Sequence, residues 1–347
     1  MNVNNIRQQL FANQLKVKRR NFGTNGTTPY LPLYLQALME GEKLSFPLYV
    51  KVSADDPQEV KFLPFLENEE VLEPSWVEIL KKLGINRFYF HRNDLDLVIA
   101  YLNNHLLLLD TRQEDQPKEK LFVLVEHLNF SLRRSFNSPH LGRHIHLAQI
   151  QVERLVQELQ KDATSLKLVW ELLYQHYTLY NHSLNVCLLG TGLMLFLHKS
   201  RHESLIMGLA CLFHDLGLTR IPEDLLYRSE PLTPEEDDIL RNHPYLGYQM
   251  LKETNSVSSE VMQLVWEHHE NADGSGYPRG LPSEKQHPWT RIIRLVDEYD
   301  GLTGHQPFRQ ALTPFAALKV LQDQVGPTRR IFDQRTLKNF IRFLAVP

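Results

Sequence analysis

Residues 204–217 read SLIMGLACLFHDLG. Leu205, Ile206, Leu209, Leu212, Phe213 and Leu216 fall on nearly every side of a helix, and a helix that is apolar all round is buried. His214 and Asp215 close it, and Gly217 lets the chain turn. Polar groups at the end of a buried helix must be hydrogen-bonded or bound, because an unpaired buried charge is strongly unfavourable. A carboxylate there can span two cations while the neighbouring imidazole holds one. The plainer reading of the pair alone is a buried His–Asp hydrogen bond between two helices.

The same pattern recurs outward from this segment. His268-His269 ends VMQLVWEHHE and runs into the loop NADGSGYP, Asn271 to Pro278. Successive helical residues diverge by about 100°, so the two imidazoles can serve different ions, or one ion and a substrate. His243 precedes Pro244 at a helix boundary. His182 lies in the apolar run Tyr177 to Val186, and Asp297 in IIRLVDEYD, residues 292–300. Taken singly these have plain alternatives: a polar helix end for His268-His269, a cap for His243, a satisfied core histidine for His182, and for Asp297 an ion pair with Arg294 or Arg291. Together they are seven borderline-hard ligands in one domain, suited to Fe, Mn or Zn. That is too many for one tetrahedral ion. It suits two metals roughly 3.5–4 Å apart, the arrangement that serves displacement at phosphorus.

Around these positions the second half reads as helix. Lys120 to Ser135, Leu141 to Asp162, Leu166 to Leu197 (two helices), Ser204 to Leu216 and Val257 to His269 carry apolar residues at helical spacing. Thr233-Pro234-Glu235-Glu236 and Thr313-Pro314 are helix starts with Thr as cap and Pro in the first turn. No strand candidate follows residue 140. The first half differs. Phe46 to Val52, Val60 to Phe65 and Arg87 to His91 read as strands. Ser75 to Glu78 reads as a capping box opening a helix that ends at Gly84, and Asp94 to Leu109 as a further helix. Asp110 to Lys120 is polar, charged and contains Pro117, which predicts a linker. The expected organisation is a flexible tail (1–28), a small α+β module (29–110) that regulates or recruits, a linker with a connecting helix (111–139), and an all-α domain (140–347).

The chain has 347 residues, enough for two domains, with ordinary hydrophobic (42%) and charged (23%) fractions. A net charge of -3 gives no global field for nucleic acid or anionic membrane, so neither is an expected partner. Cys187 and Cys211 both sit in apolar runs, which predicts buried thiols and excludes a disulfide framework or a thiolate zinc site. Met1 to Arg20 has no apolar core of a secretory signal; the KVKRR cluster, Lys16 to Arg20, reads as a solvated tail. The longest apolar run, Leu184 to Leu197, is broken by Gly190 and Gly192 and falls short of the ~20 residues of a spanning helix. A cytoplasmic location is expected.

At this point the chain resembles the HD superfamily of metal-dependent phosphohydrolases, and more closely the HD-GYP family. The resemblance rests on HDLGLTRIPEDLL from His214, HHENADGSGYPRGL from His268, NHSLNV around His182, HPYLGYQML from His243 and RLVDEYDGLTGHQPFRQALTP from Arg294. It covers roughly residues 140–345. It implies an HD-type helical domain with a binuclear Fe or Mn centre, Zn being possible. The implied activity is hydrolysis of the bacterial messenger cyclic di-GMP to linear pGpG, and in some members onward to GMP, through a hydroxide bridging the metals. Carried over by position, His182, His214, His243, His268, His269 and Asp297 are terminal ligands and Asp215 is the bridge. Arg309 is a phosphate contact, and Gly276, Tyr277 and Pro278 shape the pocket mouth or a surface for a signalling partner; a homodimer is a further expectation.

Three positions depart from the family pattern. Its Lys after HD-x-Gly is Leu218, and Arg220 is the expected substitute; its Arg before the Pro-aromatic-Arg segment is Gln306. Members with a third metal carry Glu four residues before the first His, where this chain has Thr178, which predicts two metals. Leu218 and Gln306 give weight to a second reading, a module that binds cyclic dinucleotide without turning it over. A third is hydrolysis of other nucleotide phosphates.

Overall fold

The computed structural model describes residues 29–53, 60–111, 117–136, 141–161, 163–173, 178–226, 228, 231–305, 309–326 and 330–345. The predicted tail (1–28), Tyr177 and Gln306 lie outside them. The chain divides into two compact units between Phe130 and Ser131. The first is built on a small antiparallel sheet and the second is helical, as the sequence predicts.

In the first unit, strands β1 (Tyr30–Tyr34), β2 (Leu48–Ser53), β3 (Val60–Leu66) and β4 (Arg87–His91) form one sheet in the order β1-β4-β2-β3. β1 was not among the expected strands. Its Pro32 cannot donate to a ladder, a restriction that only an outer strand tolerates, and β1 and the Pro64-containing β3 are indeed the two edges. Leu33, Leu48, Val50, Phe88 and Phe90 form the buried face. Helix α1 (Pro74–Lys82) begins one residue before the expected cap: Glu73 precedes it in extended conformation, without a side-chain cap, and Pro74 takes the first position. Proline's preset φ opens the helix there, so Ser75 lies inside the first turn and forms no capping box. Gly84 closes it at φ 72°, as expected. A short 3-10 turn, Arg92–Asp94, leads into α2 (Leu95–Thr111).

The expected linker from Asp110 to Lys120 is mostly helix. Asp110 and Thr111 finish α2, and Pro117 opens α3 (Pro117–Phe136); only 112–116 lie outside the description. Here Pro117 marks a helix start, not a break. Lys120 reaches back to Asp110 at 2.5 Å.

The second unit comprises α4 (Leu141–Gln160), α5 (Ala163–Leu172), α6 (Leu179–Phe196), α7 (Arg201–Phe213), a 3-10 turn (Leu216–Arg220), the single turn α8 (Glu223–Leu226), α9 (Pro234–Arg241), α10 (His243–Thr254), α11 (Ser259–Glu267), α12 (Thr290–Thr303), α13 (Pro314–Asp323) and α14 (Gln334–Leu344). α6 is buried from Asn181 to Leu195 and packs along α7, placing Cys187 and Cys211 in the core as free thiols. Burial pushes the Cys187 thiol up to about 12. Capping boxes start α7 (Ser200 with Glu203) and α9 (Thr233 with Glu236), and Thr313 caps α13. Among the described residues no helix is long and apolar enough to cross a membrane.

Candidate metal centre

Five elements of the helical unit deliver the seven side chains. His182 stands on the first turn of α6, His214 and Asp215 follow α7, His243 opens α10, His268 and His269 follow α11, and Asp297 lies in the middle of α12. His182, His214, Asp215, His243, His268 and Asp297 are buried. The close approach of α10 to the end of α7 depends on Gly217. A Cβ there would run into the His243 carbonyl oxygen and come within 2.7 Å of the Gly247 nitrogen.

Three of the imidazoles are oriented by the backbone carbonyl three residues before them. Nδ1 of His214 faces the Cys211 carbonyl at 2.7 Å, Nδ1 of His243 the Leu240 carbonyl at 2.8 Å, and Nδ1 of His268 the Val265 carbonyl at 2.7 Å. A carbonyl only accepts, so each Nδ1 carries the proton and each Nε2 presents its lone pair inward. His182 is turned the same way by a carboxylate: its Nδ1 donates to Asp300 at 2.8 Å, and Asn185 Nδ2 holds the other Asp300 oxygen at 2.8 Å. This carboxylate–imidazole arrangement is what orients metal-binding histidines and raises their basicity.

The four Nε2 atoms converge in two pairs. His214 Nε2 lies 3.3 Å from His182 Nε2, and His243 Nε2 lies 3.1 Å from His268 Nε2. Asp215 stands between the pairs. Its Oδ2 is 3.3 Å from His214 and 3.7 Å from His182, and its Oδ1 is 3.3 Å from His243 and 3.8 Å from His268. Asp297 Oδ1 lies 3.0 Å from His182 Nε2 and 3.6 Å from His214 Nε2, while its Oδ2 is 3.8 Å from His269 Nδ1. The alternative ion pair of Asp297 with Arg294 or Arg291 is not formed: Arg294 binds Glu298 and Asn271, and Arg291 lies beside Asp333.

Electrostatics follow from this packing. Burial alone would raise Asp215 and Asp297, but the surrounding imidazoles hold both well below the carboxylate range. Burial, reinforced by the neighbouring imidazoles, lowers His268 to about 3 and His269 well below its ordinary value. His214 goes the other way. Burial opposes its charge, yet Asp215 and Asp297 raise it to about 9. Ring nitrogens 3.1 and 3.3 Å apart need a proton or a cation between them. Two His pairs, each sharing one oxygen of the same carboxylate, therefore fit two divalent ions.

The loop after His269 packs back over the cluster. Gly276 sits where a Cβ would strike the His269 carbonyl oxygen and the Asn271 nitrogen. Tyr277 stacks on the His269 ring at 4.6 Å and 27°, and the Tyr277-Pro278 peptide is cis. Arg241 lies over the outer face of Tyr277 at 5.0 Å. Arg220 ends the 3-10 turn after Asp215 and is exposed. Arg309 is not aimed at the cluster: its guanidinium donates to the Gly301 and Leu302 carbonyls, capping the C-terminus of α12. The helix end attracts the cation electrostatically. Thr178, one turn before His182, is the N-cap of α6, its Oγ1 accepting from Asn181 N at 3.1 Å.

Asp300 and Asn185 were absent from the candidates. The available signal was spacing: each lies three residues after a candidate ligand, on the same face of its helix.

Residues 189–333 match the HD domain family, a span that contains every candidate ligand except His182. The cyclic di-GMP phosphodiesterase response regulator RpfG of Xanthomonas campestris is 35% identical over 144 residues, covering 41% of this chain and 37% of that protein. A cyclic di-GMP phosphodiesterase of Pseudomonas aeruginosa is 30% identical over 167 residues, 48% of this chain and 39% of that one. The 3'3'-cGAMP-specific phosphodiesterase 1 of Vibrio cholerae is 26% identical over 249 residues, 70% of this chain and 55% of that protein. The chain thus spans about two fifths of the length of the first two relatives. Among solved structures, Bd1817, an HDG"Y"P protein from Bdellovibrio bacteriovorus, shares the fold with a TM-score of 0.66 at 18% identity, covering 91% of this chain and 99% of that one.

Residues 189–333 match an HD domain, and six of the seven clustered side chains lie within that span. With Tyr277 of its Gly276-Tyr277-Pro278 loop stacked on His269, the chain is similar to proteins of the HD-GYP type.

Proposed function

We propose that this chain hydrolyses a 3'–5' phosphodiester of a cyclic dinucleotide, cyclic di-GMP foremost, with two divalent ions held by the seven residues. One observation carries the reading: the two oxygens of Asp215 divide between two histidine pairs, at 3.3 Å to His214 and 3.3 Å to His243. On this reading His182, His214 and Asp297 serve one ion, His243, His268 and His269 the other, and Asp215 both. Bound divalent ions supply Lewis acidity toward phosphoryl oxygens and a water that ionises near neutral pH. The chain supplies the rest. The backbone carbonyls and Asp300 keep four imidazole lone pairs aimed inward, and the buried surroundings keep His268 and His269 neutral at pH 7. Tyr277 on His269 and Arg241 on Tyr277 form an aromatic and cationic rim suited to a base and a phosphate. Relatives named cyclic di-GMP phosphodiesterases support the substrate class.

Two observations favour narrower alternatives. The relative matched over the largest share of the chain quoted above is specific for 3'3'-cGAMP by name, so a mixed cyclic dinucleotide is the second substrate. Leu218 places an alkyl side chain where the family has a cation, which favours binding with slow turnover. The test is chromatographic product analysis of Mn-loaded and Fe-loaded protein with cyclic di-GMP, 3'3'-cGAMP, linear pGpG and mononucleotides. Linear product from cyclic di-GMP is expected. Tight binding without product selects the binding module, and turnover of mononucleotides alone would contradict the reading.

A further inference from the structure

The two histidines that end α11 are bracketed by Glu267 and Glu270, both buried. Neither touches the cluster. Each instead holds backbone further along the chain. Glu270 accepts from two main-chain nitrogens, Arg279 N and Leu281 N, both at 2.8 Å through separate oxygens. Those residues directly follow Gly276-Tyr277-Pro278. Glu267 accepts from His287 N and Thr290 Oγ1 at 2.8 Å through one oxygen, and from Gln263 Nε2 at 2.9 Å and Arg279 at 2.5 Å through the other. Thr290 is the first residue of α12 and is fully buried. Asp297 stands seven residues further, two turns along the same face.

We infer that Glu267 and Glu270 are positioning residues with separate duties. Glu267 ties the end of α11 to the start of α12, and so sets His268 and His269 against Asp297. Glu270 fixes the chain after the Gly-Tyr-Pro turn, and so sets Tyr277 on the His269 ring at the rim of the site. Two independent facts separate these duties. The partners of Glu267 include the helix that carries a candidate ligand, whereas those of Glu270 are confined to the loop. A carboxylate is required in both places because every partner is a donor; an amide would turn its own N–H group against one of them, and buried donors left unsatisfied distort their surroundings. The inference rests on the proposed metal binding throughout, and on the proposed cyclic-dinucleotide activity for its substrate arm only.

The test compares Glu267→Gln, Glu270→Gln, Thr290→Val and Thr290→Ser with the unaltered chain. Mn2+ affinity and stoichiometry are measured by calorimetry, and KM and kcat with cyclic di-GMP. Glu267→Gln is expected to weaken Mn2+ binding about 10-fold or more, as supporting groups around metal ligands do. Thr290→Val is the milder form of the same lesion, weakening Mn2+ in the same direction with the carboxylate intact, and Thr290→Ser restores it. Glu270→Gln is expected to leave Mn2+ stoichiometry and affinity within about threefold while raising KM about 10-fold with kcat nearly unchanged. If Glu267→Gln does not fold, the Thr290 pair decides its role. Equal Mn2+ affinity in Thr290→Val and the unaltered chain, or loss of Mn2+ in Glu270→Gln to the same degree as in Glu267→Gln, overturns the division of duties. If the unaltered chain binds Mn2+ but turns over no cyclic dinucleotide, the proposed activity fails, and the Mn2+ arm still decides this inference.

Discussion

At the scale of single residues, the cluster is a problem of lone pairs and protons. His214, His243 and His268 each lock Nδ1–H onto a carbonyl three residues back, and two carboxylates face the resulting Nε2 atoms. His214 holds a proton up to about 9 in the ion-free cluster because Asp215 and Asp297 outweigh its burial. A divalent ion must displace that proton. Metal affinity is therefore expected to rise as pH rises from about 7, by up to tenfold per pH unit, and to level off only near 9. The sign is that of competition: a raised histidine pKa weakens metal binding at all pH values below it. Mn2+ titrations across this range check it, and an affinity already level at the ordinary histidine pKa would contradict it. Asp300→Asn probes the support of His182. The amide oxygen can still accept from Nδ1–H, but the charge is lost and the amide NH2 group is turned against Asn185 Nδ2, so an affinity loss of roughly 10- to 100-fold is expected.

At the scale of elements, the site exists because four helix ends meet at the middle of a fifth helix, α12, and Gly217 permits one of the closest of those approaches. Gly217→Ala would press a methyl group onto the His243 carbonyl. Thermal melts should show a loss of about 1–3 kcal/mol or more, accompanied by a loss of bound metal. Thr313→Ala removes the cap of α13, a helix that carries no candidate ligand, and is expected to cost about 1 kcal/mol with metal content unchanged. What was legible in the sequence divides along the same line. Thr233 and Thr313 announced their helices because a cap is a local contact among four residues. Ser75 and Pro117 misled because one proline shifts a helix start, and a polar stretch around another looks like a linker. β1 was hidden by Pro32, which is tolerable only once its edge position is known. The seven candidate ligands could be picked out because ionisable side chains are conspicuous at the ends of apolar helices. Glu267 and Glu270 could not, since the partners that give them a role lie further along the chain, and a buried carboxylate has no role until its donors are seen; Asp300 was marked only by its spacing from Asp297. Arg309 shows the converse: a position matched to a motif, whose guanidinium the structure places on a helix terminus.

At the scale of the whole molecule, the helical unit is closed around buried imidazoles and carboxylates, four of whose ring nitrogens pair off at 3.1 and 3.3 Å. Binding a ligand to the folded state alone stabilises it by about 2.7 kcal/mol at 100 times the dissociation constant, which for a unit of this size corresponds to a melting shift of roughly 5–10 °C. Mn2+ should produce a shift of that order and a chelator should reverse it; a melting temperature indifferent to both would argue against the cluster as a metal centre. The measurement that tests the central claim most directly is anomalous diffraction at the Mn edge from crystals grown with Mn2+. The account predicts two peaks astride Asp215, one among His182, His214 and Asp297 and the other among His243, His268 and His269. A single peak, or none with these side chains still converging, would contradict it.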